Sequence, residues 1–192
     1  RKMVENNIKV NLLVVSGHLP PLYKKESFDI TKKECLASGN ILGIDNIEFL
    51  KIPATYIHNE PVSKLNNLIQ SFILKCKANT VFIPFPDRHL DHKLIFESCM
   101  VCTRPTGNFW PKLLLSYETL SETDWNAPYI EPVFIPEWFI DISEYIDHKI
   151  NALKCYESQI SNNISRNEQA VKALARYRGS QNGFIYAEGF KL

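Results

Sequence analysis

The run Lys9-Val-Asn-Leu-Leu-Val-Val-Ser16 restricts the fold more than any other part of the chain. It is short and rich in β-branched residues, with little polar alternation, so a strand built from it needs cover on both faces. Ile47 to Ile52 and Asn79 to Pro84 are of the same kind. Helical spacing fills the intervals. Thr31 to Leu42 offers Cys35, Leu36, Gly39 and Leu42 as a stripe, with Gly43 at the stop, and Val62 to Cys76 places Leu65, Leu68, Ile69, Phe72 and Ile73 on one face. Strands that alternate with helices in this way predict an α/β, Rossmann-like architecture: an open, mostly parallel sheet with helices on both faces.

Further along, His92 to Cys102 reads as a helix, and Leu113 to Tyr117 and Pro132 to Ile135 read as strands. Ile142 to Glu157 and Asn167 to Tyr177 read as closing helices. The 192 residues carry no repeat and no low-complexity linker, so a single domain is expected. Arg1 to Asn7 resembles the tail of a helix stopped by Asn6-Asn7. A doubly wound domain places a strand and a loop before such a helix, so both are expected upstream of residue 1.

An apolar fraction of 45% with 11% aromatics is that of a packed chain rather than a disordered one. With 22 Lys and Arg against 21 Asp and Glu, the net charge is +1, which supplies no electrostatic case for nucleic acid or a membrane surface. Val10 to Val15 is too short to span a bilayer, and Arg1 to Lys9 lacks the apolar core of a signal peptide. Five scattered cysteines suit reduced thiols and a cytoplasmic location. The Cys99-Met-Val-Cys102 spacing has no second pair and reads as core packing.

In a parallel sheet ligands bind beyond the carboxyl ends of the strands. That rule selects the loops at 17–31, 53–61 and 85–92. The last holds Pro84-Phe-Pro-Asp87-Arg88-His89-Leu90-Asp91-His92, with two histidines and two carboxylates inside six positions. Imidazole and carboxylate are zinc ligands, and a catalytic site leaves one position for water. A ligating histidine also needs its second ring nitrogen held, a task open to Asp91 or Asp87. Against this stands the ordinary inert His-X-X-His pair of a helix surface.

The cluster resembles the second motif of the PIG-L/LmbE-type zinc-dependent N-deacetylases, in which Asp-X-His-X-Asp-His follows a strand. The likeness extends to Val14-Val-Ser-Gly17, Lys33-Glu34 with Ile41-Leu-Gly-Ile44, and Tyr117-Glu118 with Ser121 to Trp125. Ala175 to Ser180 and Tyr186 to Phe190 also share it. The resemblance implies an LmbE-like fold and a metal-dependent hydrolase that removes the acetyl group from an N-acetylated amino sugar or glycoconjugate. It makes His92 the Zn2+ ligand, His89 the imidazole at the reacting centre, Asp91 the residue that orients a histidine, and Tyr186 a donor to the oxyanion. His18, Lys32, Arg88 and Trp125 become substrate contacts, with solvated roles as the alternative for His18 and Arg88. Glu118 and Glu188 are each matched to a sugar hydroxyl or to a salt bridge with Arg178.

The departures are equally specific. The family's first motif, His-Pro-Asp-Asp-Glu, which supplies two zinc ligands and the general base, is not in these residues. Lys32 stands near a place where the family carries Arg, and Ala54 near a substrate-binding Asp. One histidine cannot hold a catalytic ion where about three ligands are usual, so the 192 residues alone are expected to bind zinc poorly and to be inactive. Iron or cobalt would suit the same donors. The competing reading is a non-catalytic α/β ligand-binding module that has lost its metal site; residues upstream of Arg1 would discriminate. Dinucleotide binding has no Gly-rich strand-to-helix loop to support it. No nucleic-acid partner or membrane span is expected, and a homo-oligomer is left open. His58 and His148 read as surface residues.

Overall fold

The Lys9–Ser16 run forms β1 (Asn11–Gly17), and the second run forms β2 (Asn46–Pro53). They pair in parallel, Asn11 opposite Asn46 and Gly17 opposite Pro53, with an irregularity between Val14 and Ser16. A computed structural model describes residues 1–192 apart from 128 and 162. A second sheet has the order β3-β4-β6-β5, built from β3 (Thr80–Pro84), β4 (Leu113–Tyr117), β5 (Trp138–Asp141) and β6 (Ala187–Lys191). β3 and β4 are parallel, whereas β6 runs antiparallel to both β4 and β5. The α/β class holds, then, with parallel pairing confined to the first four strands. β1 has one hydrogen-bonded neighbour among the described residues, and only Val15 in it is fully buried rather than the whole strand.

The helices cover both faces. Phe28 of α2 (Lys25–Leu42) meets the Phe49 ring of β2 edge-on at 6.1 Å, while Leu50 and Ile52 turn the other way. There they join Leu65, Ile69 and Ile73 of α3 (Val62–Cys76) and Cys99 and Cys102 of α4 (Leu90–Cys102) in one core that also takes Val15 and Ile83. Each such side chain contributes about 1.5–3 kcal/mol on burial. The two thiols are core residues, and all five cysteines are free. A second core gathers Ile142, Ile146 and Ile150 with Val171 and Ala175, joining α5 (Ile146–Lys154) to α7 (Glu168–Ser180).

α2 begins at Lys25 rather than Thr31, because the Thr31 hydroxyl bonds back to the carbonyl of Ser27 inside the helix instead of capping it. It ends where Gly43 adopts φ 77°, a left-handed conformation that glycine reaches without Cβ strain, and the Ile44 amide closes on the Gly39 carbonyl. α1 (Lys2–Glu5) is a single turn stopped at Asn6, with Asn7 left-handed. The closing helix expected over 142–157 starts late and breaks after Lys154, and a short α6 (Glu157–Ile160) follows. Pro132 to Ile135 is not a strand: Val133 and Ile135 are exposed, prolines bracket the segment, and β5 forms beyond it. No helix among the described residues is long and apolar enough to cross a membrane.

Candidate active site

β3 delivers the chain to the site. The Phe85 amide extends the β3–β4 ladder by bonding the Tyr117 carbonyl, and the segment then bends through Asp87 into α4. Asp87 is wholly buried. Its Oδ1 accepts the His89 amide at 2.9 Å and faces His92 Nδ1 at 2.9 Å, and its Oδ2 accepts the Thr123 hydroxyl at 2.9 Å. Burial pushes this carboxyl up, but the hydrogen bonds from His92, the His89 amide and Thr123 outweigh it and hold the group below its ordinary range.

These contacts fix the two rings differently. An ionised carboxylate only accepts, so His92 must carry its hydrogen on Nδ1, which leaves the Nε2 lone pair free in the neutral ring. His89 is the reverse. Its Nδ1 accepts the Asp91 amide at 3.2 Å, which makes the imidazole the N-cap of α4 and puts the hydrogen on Nε2. The rings stack with centroids 4.7 Å apart at 27°. One imidazole thus offers an electron pair and its neighbour an N–H.

Asp91, in the first turn of α4, is buried and fastens the strand ends together. Its Oδ2 accepts the Ser16 hydroxyl at 2.8 Å from the end of β1, and the Thr55 amide at 2.9 Å from just beyond β2. Thr55 sits at φ 66°, a left-handed conformation that strains a β-branched residue. Asp91 Oδ1 is buried without a hydrogen-bond partner among the described residues. The carboxylate that orients His92 is therefore Asp87, while that of Asp91 bonds Ser16 and Thr55.

Both histidines line a cavity of about 810 Å³, within the size range of small-molecule sites. Glu118 and Arg178 also line it and form a buried bidentate pair at 2.7 and 2.6 Å, so Glu118 is the partner of Arg178. Glu188 pairs with Lys149 instead. His148, expected at the surface, also lines this cavity and is half-buried, whereas His58 is exposed. Arg88 and Trp125 share a second, smaller hollow of about 400 Å³. The other expected contacts lie elsewhere. His18 stacks on Tyr23 at 4.1 Å, Lys32 sits 5.6 Å from the Phe49 ring, and Tyr186 packs against the Ile142–Val171 core; none of the three lines either cavity.

A catalytic zinc needs about three protein ligands. His92 Nε2 is one free donor, and no group of three His, Cys, Asp or Glu among the described residues is arranged to hold an ion. The described donor set does not by itself fit the metal.

No protein-family model matches the chain. Solved structures do. The conserved protein TT1542 from Thermus thermophilus aligns with TM-score 0.75 and 23% identity, over 100% of this chain and 84% of that one. N,N'-diacetylchitobiose deacetylase from Pyrococcus horikoshii aligns with TM-score 0.72 and 20% identity, over 99% and 74%. This is the fold of the PIG-L/LmbE-type deacetylases. The LmbE-like fold also serves other chemistry. The 4-carboxy-2-hydroxymuconate hydratase GalB from Pseudomonas putida KT2440 aligns with TM-score 0.75 and 18% identity, over 99% and 86%. Activity must accordingly be argued from the side chains that this fold brings together.

Thr123, Ser16 and Thr55 are the participants that sequence reasoning missed. Ser16 had a signal, as a polar residue closing an apolar strand. Thr123 is 36 positions from Asp87; it lies in the Ser121–Trp125 segment of the resemblance, but no spacing in the sequence ties it to that carboxylate.

Proposed function

We propose that this chain belongs to a metal-dependent hydrolase that removes the N-acetyl group from an N-acetylated amino sugar or glycoconjugate. One observation carries the reading: two stacked imidazoles with opposite tautomers, each fixed by a buried partner, on the wall of a cavity beyond β3. Amide hydrolysis asks for these two functions side by side. The Nε2 lone pair of His92 is the one metal-ligating position that these residues offer, and the Asp87 carboxylate behind it is the usual support for such a ligand. The Nε2–H of His89 supplies a hydrogen bond to the oxyanion that develops as the amide carbon becomes tetrahedral.

Asp91 fits the role of orienting a further histidine, because its Oδ1 is buried and lacks a donor. Arg88 and Trp125, exposed beside one another, provide a guanidinium and an aromatic face for a sugar ring.

The full gene product, supplied with zinc, iron or cobalt and assayed for acetate release from N-acetylglucosamine and diacetylchitobiose, tests the reading. His92→Ala should lose bound metal and turnover together. His89→Ala should keep the metal and lose turnover. A wild-type protein that binds no metal and releases no acetate would leave the non-catalytic binding module as the correct reading.

A further inference from the structure

We infer that Thr123 is a positioning residue for the histidine pair, holding the Asp87 carboxylate so that Oδ1 faces His92 and the ring keeps its Nε2 lone pair free. The inference rests on the hydrolase reading for its functional consequence, though not for its geometry.

Thr123 opens the 3-10 turn Thr123–Trp125 that follows β4, and it is buried. A hydroxyl has one hydrogen and two lone pairs. The Thr119 amide at 2.8 Å can only donate, so Thr123 Oγ accepts there, and its single hydrogen is left for Asp87 Oδ2 at 2.9 Å. The direction of this bond is settled by the ionised carboxylate, which has no hydrogen to give, and the turn backbone occupies one of the hydroxyl lone pairs without competing for its hydrogen. On the other side of the carboxylate, Oδ1 is shared by the His89 amide and the His92 ring.

Asp87 has no exposure to solvent, so water cannot readily replace the lost donor. Without Thr123, Oδ2 is a buried acceptor with no partner, and the carboxylate relieves that cost by turning about Cβ–Cγ. The turn moves Oδ1 off the line to His92 and weakens its claim on the Nδ1 hydrogen of that ring. The His89 backbone also bonds that carboxylate, but its ring does not: the His89 tautomer is set by the Asp91 amide at the start of α4. The same turn carries Trp125 into the hollow beside Arg88, so one short segment serves both the ring support and the exposed aromatic face.

The experiment is long-range ¹H–¹⁵N spectroscopy of the full-length protein labelled at histidine, read with and without added zinc. Wild type should show protonated Nδ1 on His92 and protonated Nε2 on His89. Thr123→Val should convert His92 to a mixture of tautomers while His89 is unchanged, and kcat for acetate release should fall about tenfold or more with KM held. Thr123→Ser should restore both. Should the valine variant not fold, Thr123→Ala and Thr123→Cys provide the same comparison. A Thr123→Val protein that is less stable but keeps the wild-type His92 signature would overturn the proposal, since a purely structural threonine predicts that result. The spectroscopic arm needs no turnover. Absence of acetate release from wild type would therefore defeat the hydrolase reading and leave Thr123 to be judged on the ring signal.

Discussion

Replacing Asp87 by Asn should cost about 2–3 kcal/mol of stability at neutral pH. The Asp87 carboxylate accepts from the His89 amide, the His92 ring and the Thr123 hydroxyl, with no exposure to water. A hydrogen bond to a charged acceptor is worth about 1 kcal/mol more than one to a neutral acceptor, and an amide nitrogen facing the Thr123 oxygen would also force that hydroxyl to turn. For a chain of this size the loss corresponds to roughly 6–9 °C in Tm. The sign with pH follows from the carboxyl lying below its ordinary value of 3.8 in the fold. The stabilisation is complete above the unfolded value and disappears as pH falls through the lower folded value. Urea midpoints of wild type and Asp87→Asn, read by tryptophan fluorescence at pH 7, 5 and 3, should differ most at pH 7 and 5 and converge toward pH 3. Equal midpoints at pH 7, or a gap that widens in acid, would refute the reasoning.

Other perturbations have definite outcomes. Arg178→Ala should destabilise by about 3–5 kcal/mol, because it strands Glu118 in a pair whose side chains are only 10% and 7% exposed; Arg178→Met with Glu118→Leu should cost less than that single change in a denaturation series. A Cβ at Gly179 would stand 2.7 Å from the Phe184 carbonyl oxygen and 2.9 Å from that of Ile185. Gly179→Ala should therefore lower Tm at a cost of about 1–3 kcal/mol, since backbone atoms cannot step aside. Burial pushes the Cys99 thiol up to about 12. An aromatic disulfide reagent should consequently label the half-buried Cys76 and Cys155 first and reach Cys99 only as the fold opens, which peptide mapping would show.

Those features that depend on near neighbours could be read from the chain. β4 lies where the sequence placed it, α3 occupies the whole of 62–76, and β1, β2 and β3 agree with expectation to within two residues at each end, because a buried strand or an apolar helical stripe is written in consecutive positions. The Asp87–His92 loop was legible for the same reason: it follows a recognisable strand and lies within one turn of a helix. β6 was not legible. Ala187-Glu-Gly-Phe-Lys191 has no apolar run, and it becomes a strand because β4 and β5 offer it antiparallel partners. β5 likewise emerged past the prolines, where Trp138 pairs with Phe190.

The divide runs through the site itself. Sequence alone determined that two imidazoles and two carboxylates would stand beyond a parallel strand, since their separation along the chain is shorter than a single loop. Only the tertiary structure decided which carboxylate serves which ring. Asp87 supports His92 because Thr123, arriving from beyond β4, supplies the donor that fixes it, while Asp91 is drawn away by Ser16 and Thr55 from the ends of β1 and β2. Buried acceptors take the donors that packing brings to them, and packing joins segments that no sequence window contains.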